Sequence, residues 1–230
     1  TSSESGSGLK FGVWSLELGS HRPLSPKADV PQLLPEEFAQ PLAEAAERIR
    51  PFASRRVWYS EITSTNDVAA RLAESGAEEG LLVAADAQRG GRGRRGRDWA
   101  SPPAAGIYAT VLLRPPDGIV PLVTIAAGVA LADGIEAATG LRVRLKWPND
   151  ILAADDSRSV TPRKIAGILA EGGTAPDRTW VVLGFGINVL PGAYPPDIAA
   201  RATSLEAELG RPVVLGRLLV ESLAALAVPY

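Results

Sequence analysis

The chain has 230 residues, 46% of them hydrophobic and 22% charged, with a formal net charge of −2, which suits one sizeable domain with at most a small appendage. Cysteine is absent, which excludes disulfides, thiolate metal sites and cysteine nucleophiles, and the single histidine, His21, lies in a proline-bearing polar stretch, which argues against a serine–histidine triad or a multi-histidine metal centre. No run reaches the roughly 18 uninterrupted apolar residues of a membrane span, so any chemistry falls to Arg, Lys, Asp, Glu, Asn and backbone amides.

Residues 1–8, TSSESGSG, read as a flexible lead-in, and Lys10 to Pro35 as an irregular, proline-punctuated segment in which His21 is an ordinary surface side chain. Leu42, Ala46 and Ile49 recur at helical spacing ahead of Pro51, predicting a helix over 36–49. RRVWYSEI (55–62) predicts a strand and TSTNDVAARLAESG (63–76) a capped helix. GLLVAADAQ (80–88) and GIYATVLLRP (106–115) read as strands, the second stopped by Pro115 and Pro116, and a long apolar helix follows over 121–138. Further strands are expected at LRVRLKW (141–147), RKIAGILAE (163–171) and TWVVLGFGINV (179–189), with a last helix near 215–227. Strands and helices do not alternate strictly, which favours an α+β sheet over a doubly wound one. Residues 1–50 are read as an N-terminal extension with one helix and 51–230 as the principal domain.

The densest chemical signal is QRGGRGRRGRDWASPP (88–103), where Arg89 to Arg97 holds five arginines and four glycines in nine residues. Residues 91–96 satisfy G-x-G-x-x-G, but a dinucleotide fingerprint must open a helix, and Pro102 and Pro103 forbid a long one. No P-loop pattern occurs. Nucleic-acid proteins tend to spread basic residues over a face, whereas here they are focused on one loop of a chain with net charge −2. A small polyanion fits better: glycine lets backbone amides approach anionic oxygens, and the arginine fork supplies bidentate, charge-assisted bonds. Like charges so close together repel, so the loop is expected to be mobile until an anion neutralises it.

Four more stretches read as ordinary structure or as site. TSTND (63–67) is rich in helix-capping residues whose hydroxyls and amides can equally bind a polar ligand. LKWPND (145–150) ends a strand in Lys146 and, through Pro148, turns to present Asn149 and Asp150. RKIAGIL (163–169) sets Lys164 at the start of an apolar strand, and GFGIN (184–188) puts two glycines inside one.

Taken in order, S-T-N, Q-x-x-G-R-G-R-R-G-R-x-W, K-W-P-N-D, R-K-x-x-G-I-L and G-x-G-I-N closely resemble the catalytic domain of biotin protein ligases over roughly residues 56–210. The resemblance implies a class II aminoacyl-tRNA-synthetase-like fold, a mixed, mostly antiparallel sheet flanked by helices. It implies an ATP- and Mg2+-dependent ligase that converts biotin to biotinyl-5′-AMP and then transfers biotin to a lysine of a biotin carboxyl carrier domain, such as that of acetyl-CoA carboxylase. Lipoate or octanoate ligation and a weak biotin-binding module are the alternatives; lipoate ligases lack the arginine loop and K-W-P-N-D.

By motif match, Arg92 and Arg94 are expected to hold the biotin carboxylate and α-phosphate, Arg97 the other phosphates, Lys164 the carboxyl region and Lys146 the adenylate phosphate. Ser64, Thr65, Asn66 and Gln88 are expected on the ureido ring, with Gly93, Gly167 and Gly184 beside biotin. Trp99, Asn149 and Asn188 are expected on the adenosine, Asp150 at the acceptor lysine, and no protein metal site. The segment before residue 56 is too short and proline-broken for the winged helix-turn-helix of many relatives, so no DNA partner is expected. The family's small SH3-like C-terminal domain is expected to be absent, a homodimer is compatible with the family, and residence in the cytoplasm, without a membrane partner, follows from the need for ATP.

Overall fold

In the computed structural model the described residues are 30–52, 54–116, 119–154, 162–175 and 178–227. The lead-in, His21 and most of the segment from Lys10 to Pro35 lie outside them. The elements run α1 (Glu36–Glu44), β1 (Arg55–Ile62), α2 (Thr65–Glu74), β2 (Leu81–Gln88), β3 (Gly106–Leu113), α3 (Val123–Thr139), β4 (Val143–Lys146), β5 (Asp150–Ala153), β6 (Lys164–Ala175), β7 (Arg178–Asn188), α4 (Leu205–Leu209) and α5 (Leu215–Ala227).

The seven strands form one sheet in the order β1-β2-β3-β7-β6-β5-β4. Only β1 and β2 pair in parallel, joined through α2, and every other neighbour is antiparallel. This is the α+β class favoured by the order of elements, with the mixed, mostly antiparallel sheet that the resemblance implies. Because side chains alternate along a strand, Leu82 and Ala84 of β2 and Leu183, Phe185 and Ile187 of β7 face a core shared with α1, α3 and α5. Leu81, Val83 and Ala85, with Val182 of β7, face the opposite side and pack under α2.

Helix cover is therefore unequal. One face of the sheet is closed by three helices, with α3 seated on α5 so tightly that a methyl on Gly134 would stand 2.7 Å from the Ser222 Cα. Among the described residues the other face has only α2, which reaches β2, β3 and β7 and touches β6. The strip of β6 and β7 beyond α2 is left for something other than a helix.

Three elements differ from expectation. The helix over 36–49 is α-helical only to Glu44; beyond it Ala46 bonds back to Ala43 and Arg48 to Ala45, a tighter winding that buries Ala45 and Ile49 and leaves Ala46 half-exposed. Strand β5, unanticipated, folds back on β4 with Lys146 opposite Asp150; four residues are too few for an alternating pattern to be read. Helix α4 is shorter than two turns and gives no periodic signal.

Candidate active site

The uncovered strip is floored with glycine. Gly167 of β6 pairs with Gly186 of β7, and Leu169 with Gly184. A Cβ on Gly184 would collide with the Asn66 carboxamide and one on Gly186 with the Trp99 indole, while one on Gly167 would stand 2.9 Å from Lys164 Nζ. These glycines admit three side chains that define the cleft, which encloses about 790 Å³ counting the solvent in its mouth.

At one end lies the start of α2. Ser64 occupies the N-cap in an extended conformation, yet its side chain makes no capping bond. The Thr65 amide donates instead to Gln88 Oε1 at 2.9 Å, so β2 caps the helix, and Gln88 Nε2 donates to Ser101 Oγ at 2.9 Å. The buried Thr110 hydroxyl donates to Asn66 Oδ1 at 2.6 Å and lies 2.8 Å from Thr65 Oγ1. Asn66 Nδ2 donates to Glu171 Oε2 at 2.6 Å and to the Leu169 carbonyl at 3.3 Å. Ser64, Thr65, Asn66 and Gln88 all line the cleft.

The arginine loop crosses the middle. It is a folded-back segment: Arg92 bridges Asp98, the Gly93 amide donates to the Arg97 carbonyl at 2.7 Å, and the Trp99 amide to the Gly91 carbonyl at 2.9 Å. Between them Arg94–Gly96 makes one 3-10 turn, with Arg95 left-handed at φ 59°; no helix opens here, as the prolines required. Arg92, Gly93, Arg94 and Arg97 line the cleft and Arg95 does not. Arg92 Nη1 stands 2.7 Å from Asp67 Oδ1 and Nη2 3.0 Å from Glu171 Oε2. Burial alone would lower the Arg92 pKa, but the Glu171 and Asp67 carboxylates outweigh it and hold the guanidinium above its ordinary range.

At the far end Lys164 Nζ lies 2.6 Å from Asp150 Oδ1 and 4.9 Å from the centroid of the Trp99 ring, a cation–π contact. Asn149, Asp150, Trp99, Lys164, Gly167 and Gly184 complete the lining among the expected residues. Two expected residues are not brought in. Lys146 is exposed at the end of β4, and Asn188 is buried at the end of β7, where its Nδ2 donates to the Thr203 carbonyl at 3.0 Å. Asn149 lines the cleft, with its Nδ2 donating to the Ile168 carbonyl at 2.8 Å.

Sequence reasoning missed Asp67, Glu171 and Thr110. Asp67 reads as a helix first-turn acid and Thr110 as one more β-branched strand residue. Glu171 carried a signal, being a charge within the apolar run that follows Lys164 in β6, two residues beyond Leu169 on the same face.

A helix-backed sheet whose open face joins a hydrogen-bonding end to a cationic middle over a glycine floor forms a cleft suited to a small ligand carrying polar and anionic groups. The chain belongs to the biotin/lipoate A/B protein ligase family, whose sequence profile matches residues 58–188. It is 38% identical over 162 residues to the bifunctional ligase/repressor BirA of Bacillus subtilis, covering 68% of this chain and 48% of that protein. It is 37% identical over 164 residues to the biotin–[acetyl-CoA-carboxylase] ligase of Paracoccus denitrificans, covering 65% and 62%. The fold matches the biotin protein ligase of Aquifex aeolicus in complex with biotin and ATP at a TM-score of 0.62 and 29% identity, over 76% of this chain and 69% of that one. The chain thus spans about half the length of the first relative and less than two thirds of the second.

Proposed function

We propose that the chain is an ATP-dependent biotin protein ligase domain. In the first step an oxygen of the biotin carboxylate attacks the α-phosphorus of ATP, the bond to the β-phosphate oxygen breaks, and pyrophosphate leaves. In the second, a lysine amine of a carboxylase carrier domain attacks the acyl carbon, AMP departs, and the amine loses its proton. The observation that carries this reading is the meeting in one cleft of a hydrogen-bonding row, Ser64, Asn66 and Gln88, with three cations, Arg94, Arg97 and Lys164.

The row suits a cyclic urea. With its Oε1 and one N–H engaged, Gln88 has a second N–H to offer, the Ser64 hydroxyl makes no helix-capping bond, and Asn66 Oδ1 has a second lone pair. These supply donors for a ring carbonyl and an acceptor for a ring N–H, a match that penalises ligands lacking either. Thr65 supports the row through Gln88 and Thr110. The cations answer a different need. Two unit negative charges about 4 Å apart repel by roughly 4 kcal/mol at an effective dielectric near 20, which alone would slow attack about a thousandfold. Arg94, Arg97 and Lys164 remove that barrier by presenting positive charge where carboxylate and phosphate meet.

In this reading Trp99 and Asn149, which line the cleft, serve the adenosine, and Asp150, beside Lys164, the incoming acceptor amine; Lys146 and Asn188, outside the lining, take no ligand role. Among the described residues no group of three His, Cys, Asp or Glu is placed to hold a metal ion. The lining carboxylates are Asp98 and Asp150; they would be the groups to meet Mg2+ carried on the nucleotide, and the ion would add charge neutralisation. No helix among the described residues is long and apolar enough to cross a membrane, and residence in the cytoplasm, with ATP at hand, belongs to the same reading.

The test is ATP–pyrophosphate exchange with biotin, lipoate or octanoate as the acid. Exchange dependent on biotin is the expected result. Exchange with lipoate alone would reassign the substrate, and tight biotin binding without any exchange would reduce the domain to a binding module.

A further inference from the structure

Arg92 is the least free of the loop's cleft-lining arginines. Its two η nitrogens meet carboxylates from different elements, Asp67 of α2, whose side chain is 1% exposed, and Glu171 of β6, at 13%. Two carboxylates against one guanidinium leave no surplus positive charge for an incoming anion. Such enclosed ion groups add little net stability over apolar packing, but they fix geometry, and here two geometries depend on Glu171.

The first is the orientation of Asn66. Glu171 Oε2 and the Leu169 carbonyl both accept from Asn66 Nδ2, while Thr110 donates to Oδ1. Turning the amide over would set Oδ1 against two acceptors, so the carboxylate fixes which way the amide of this cleft-lining residue faces. The second is the root of the arginine loop. Glu171 takes Arg92 Nη2 through both oxygens, at 3.0 and 3.1 Å, and Arg92 bridges Asp98 across the loop's base. Pinning one residue therefore pins both limbs to the sheet.

We propose that Glu171, assisted by Asp67, is a positioning residue: it fixes Asn66 as an acceptor for a ligand N–H and anchors the arginine loop through Arg92. Arg92 is then a strut, and Arg94 and Arg97 are the loop's anion-facing cations. The ligand half of this statement rests on the proposed biotin reaction; the anchoring half does not.

Glu171→Gln keeps the shape and removes the charge. In the ligand-free protein, tryptic cleavage after the arginines of 89–97, assigned by mass spectrometry, should quicken by about tenfold, the loss of one charge-assisted bond. In biotin-dependent exchange, KM for biotin should rise about 10- to 100-fold with kcat within about threefold, because Asn66 holds a part of the ligand remote from the reacting carboxylate. Glu171→Asp, which keeps the charge but withdraws the acceptor from Asn66, is the second variant should the first not fold, with the same outcomes. Unchanged cleavage, unchanged KM, or a fall in kcat at constant KM overturns the proposal. If the wild-type chain shows no exchange with biotin, the proposed reaction fails, and the cleavage comparison alone decides the anchoring.

Discussion

Lys164→Ala lowers the rate of biotin-dependent ATP–pyrophosphate exchange by about a hundredfold to a thousandfold, the usual effect of removing a preorganised group that faces developing charge. The position explains the size. Lys164 begins β6, with its amide held by the Arg201 carbonyl and its own carbonyl accepting from the Thr203 amide. Its ammonium sits between Asp150 and the Trp99 ring, over the Gly167 backbone. No other lining cation is fixed by both a strand and a ring. Stability should change little, because the Asp150 carboxylate left behind is 27% exposed and water can solvate it, and partly exposed pairs contribute about 1 kcal/mol or less. Exchange rates and a thermal melt on one preparation check both halves; a variant melting normally with exchange above about a tenth of wild type would remove Lys164 from the chemistry.

Arg92→Ala has the opposite signature. It strips the cation from Asp67, buried at 1% exposure, and from Glu171 at 13%, leaving two carboxylates without it where water is scarce. Breaking such a group from one side costs about 3–5 kcal/mol, which for a domain of this size lowers the melting temperature by roughly 6–20 °C. Arg92→Lys restores only part of the loss, since a single ammonium cannot fork between carboxylates on two elements. A melt of Arg92→Ala within about 2 °C of wild type would show that the carboxylates do not depend on this cation.

Much of this was legible in the residues. The apolar run LLVAADAQ, buried on both faces, and the helices that end at Gly76 and Gly140 were read nearly to their ends, since continuous burial and a glycine stop both mark the sequence. The cleft was legible because its parts are chemically extreme: clustered arginines, glycines inside a strand, a lysine heading an apolar run. What could not be read was who holds whom. Ser64 looks like a capping side chain, but the cap comes from Gln88 on another strand. Arg92 is indistinguishable from Arg94 along the chain, yet only tertiary packing sets Asp67 and Glu171 against it. Glycines 184 and 186 announce a close approach without naming Asn66 and Trp99 as the groups that approach.

The role assigned to the cleft's positive charge is tested most directly by replacing Arg94 and Arg97 together with glutamine and measuring biotin-dependent exchange at saturating biotin and ATP. Arg94 is half-buried, Arg97 exposed, and both line the cleft, so the fold should survive while the rate falls by about a hundredfold. An undiminished rate in a folded double variant would mean that carboxylate and phosphate meet without these guanidinium groups, and that the loop's charge serves some other end.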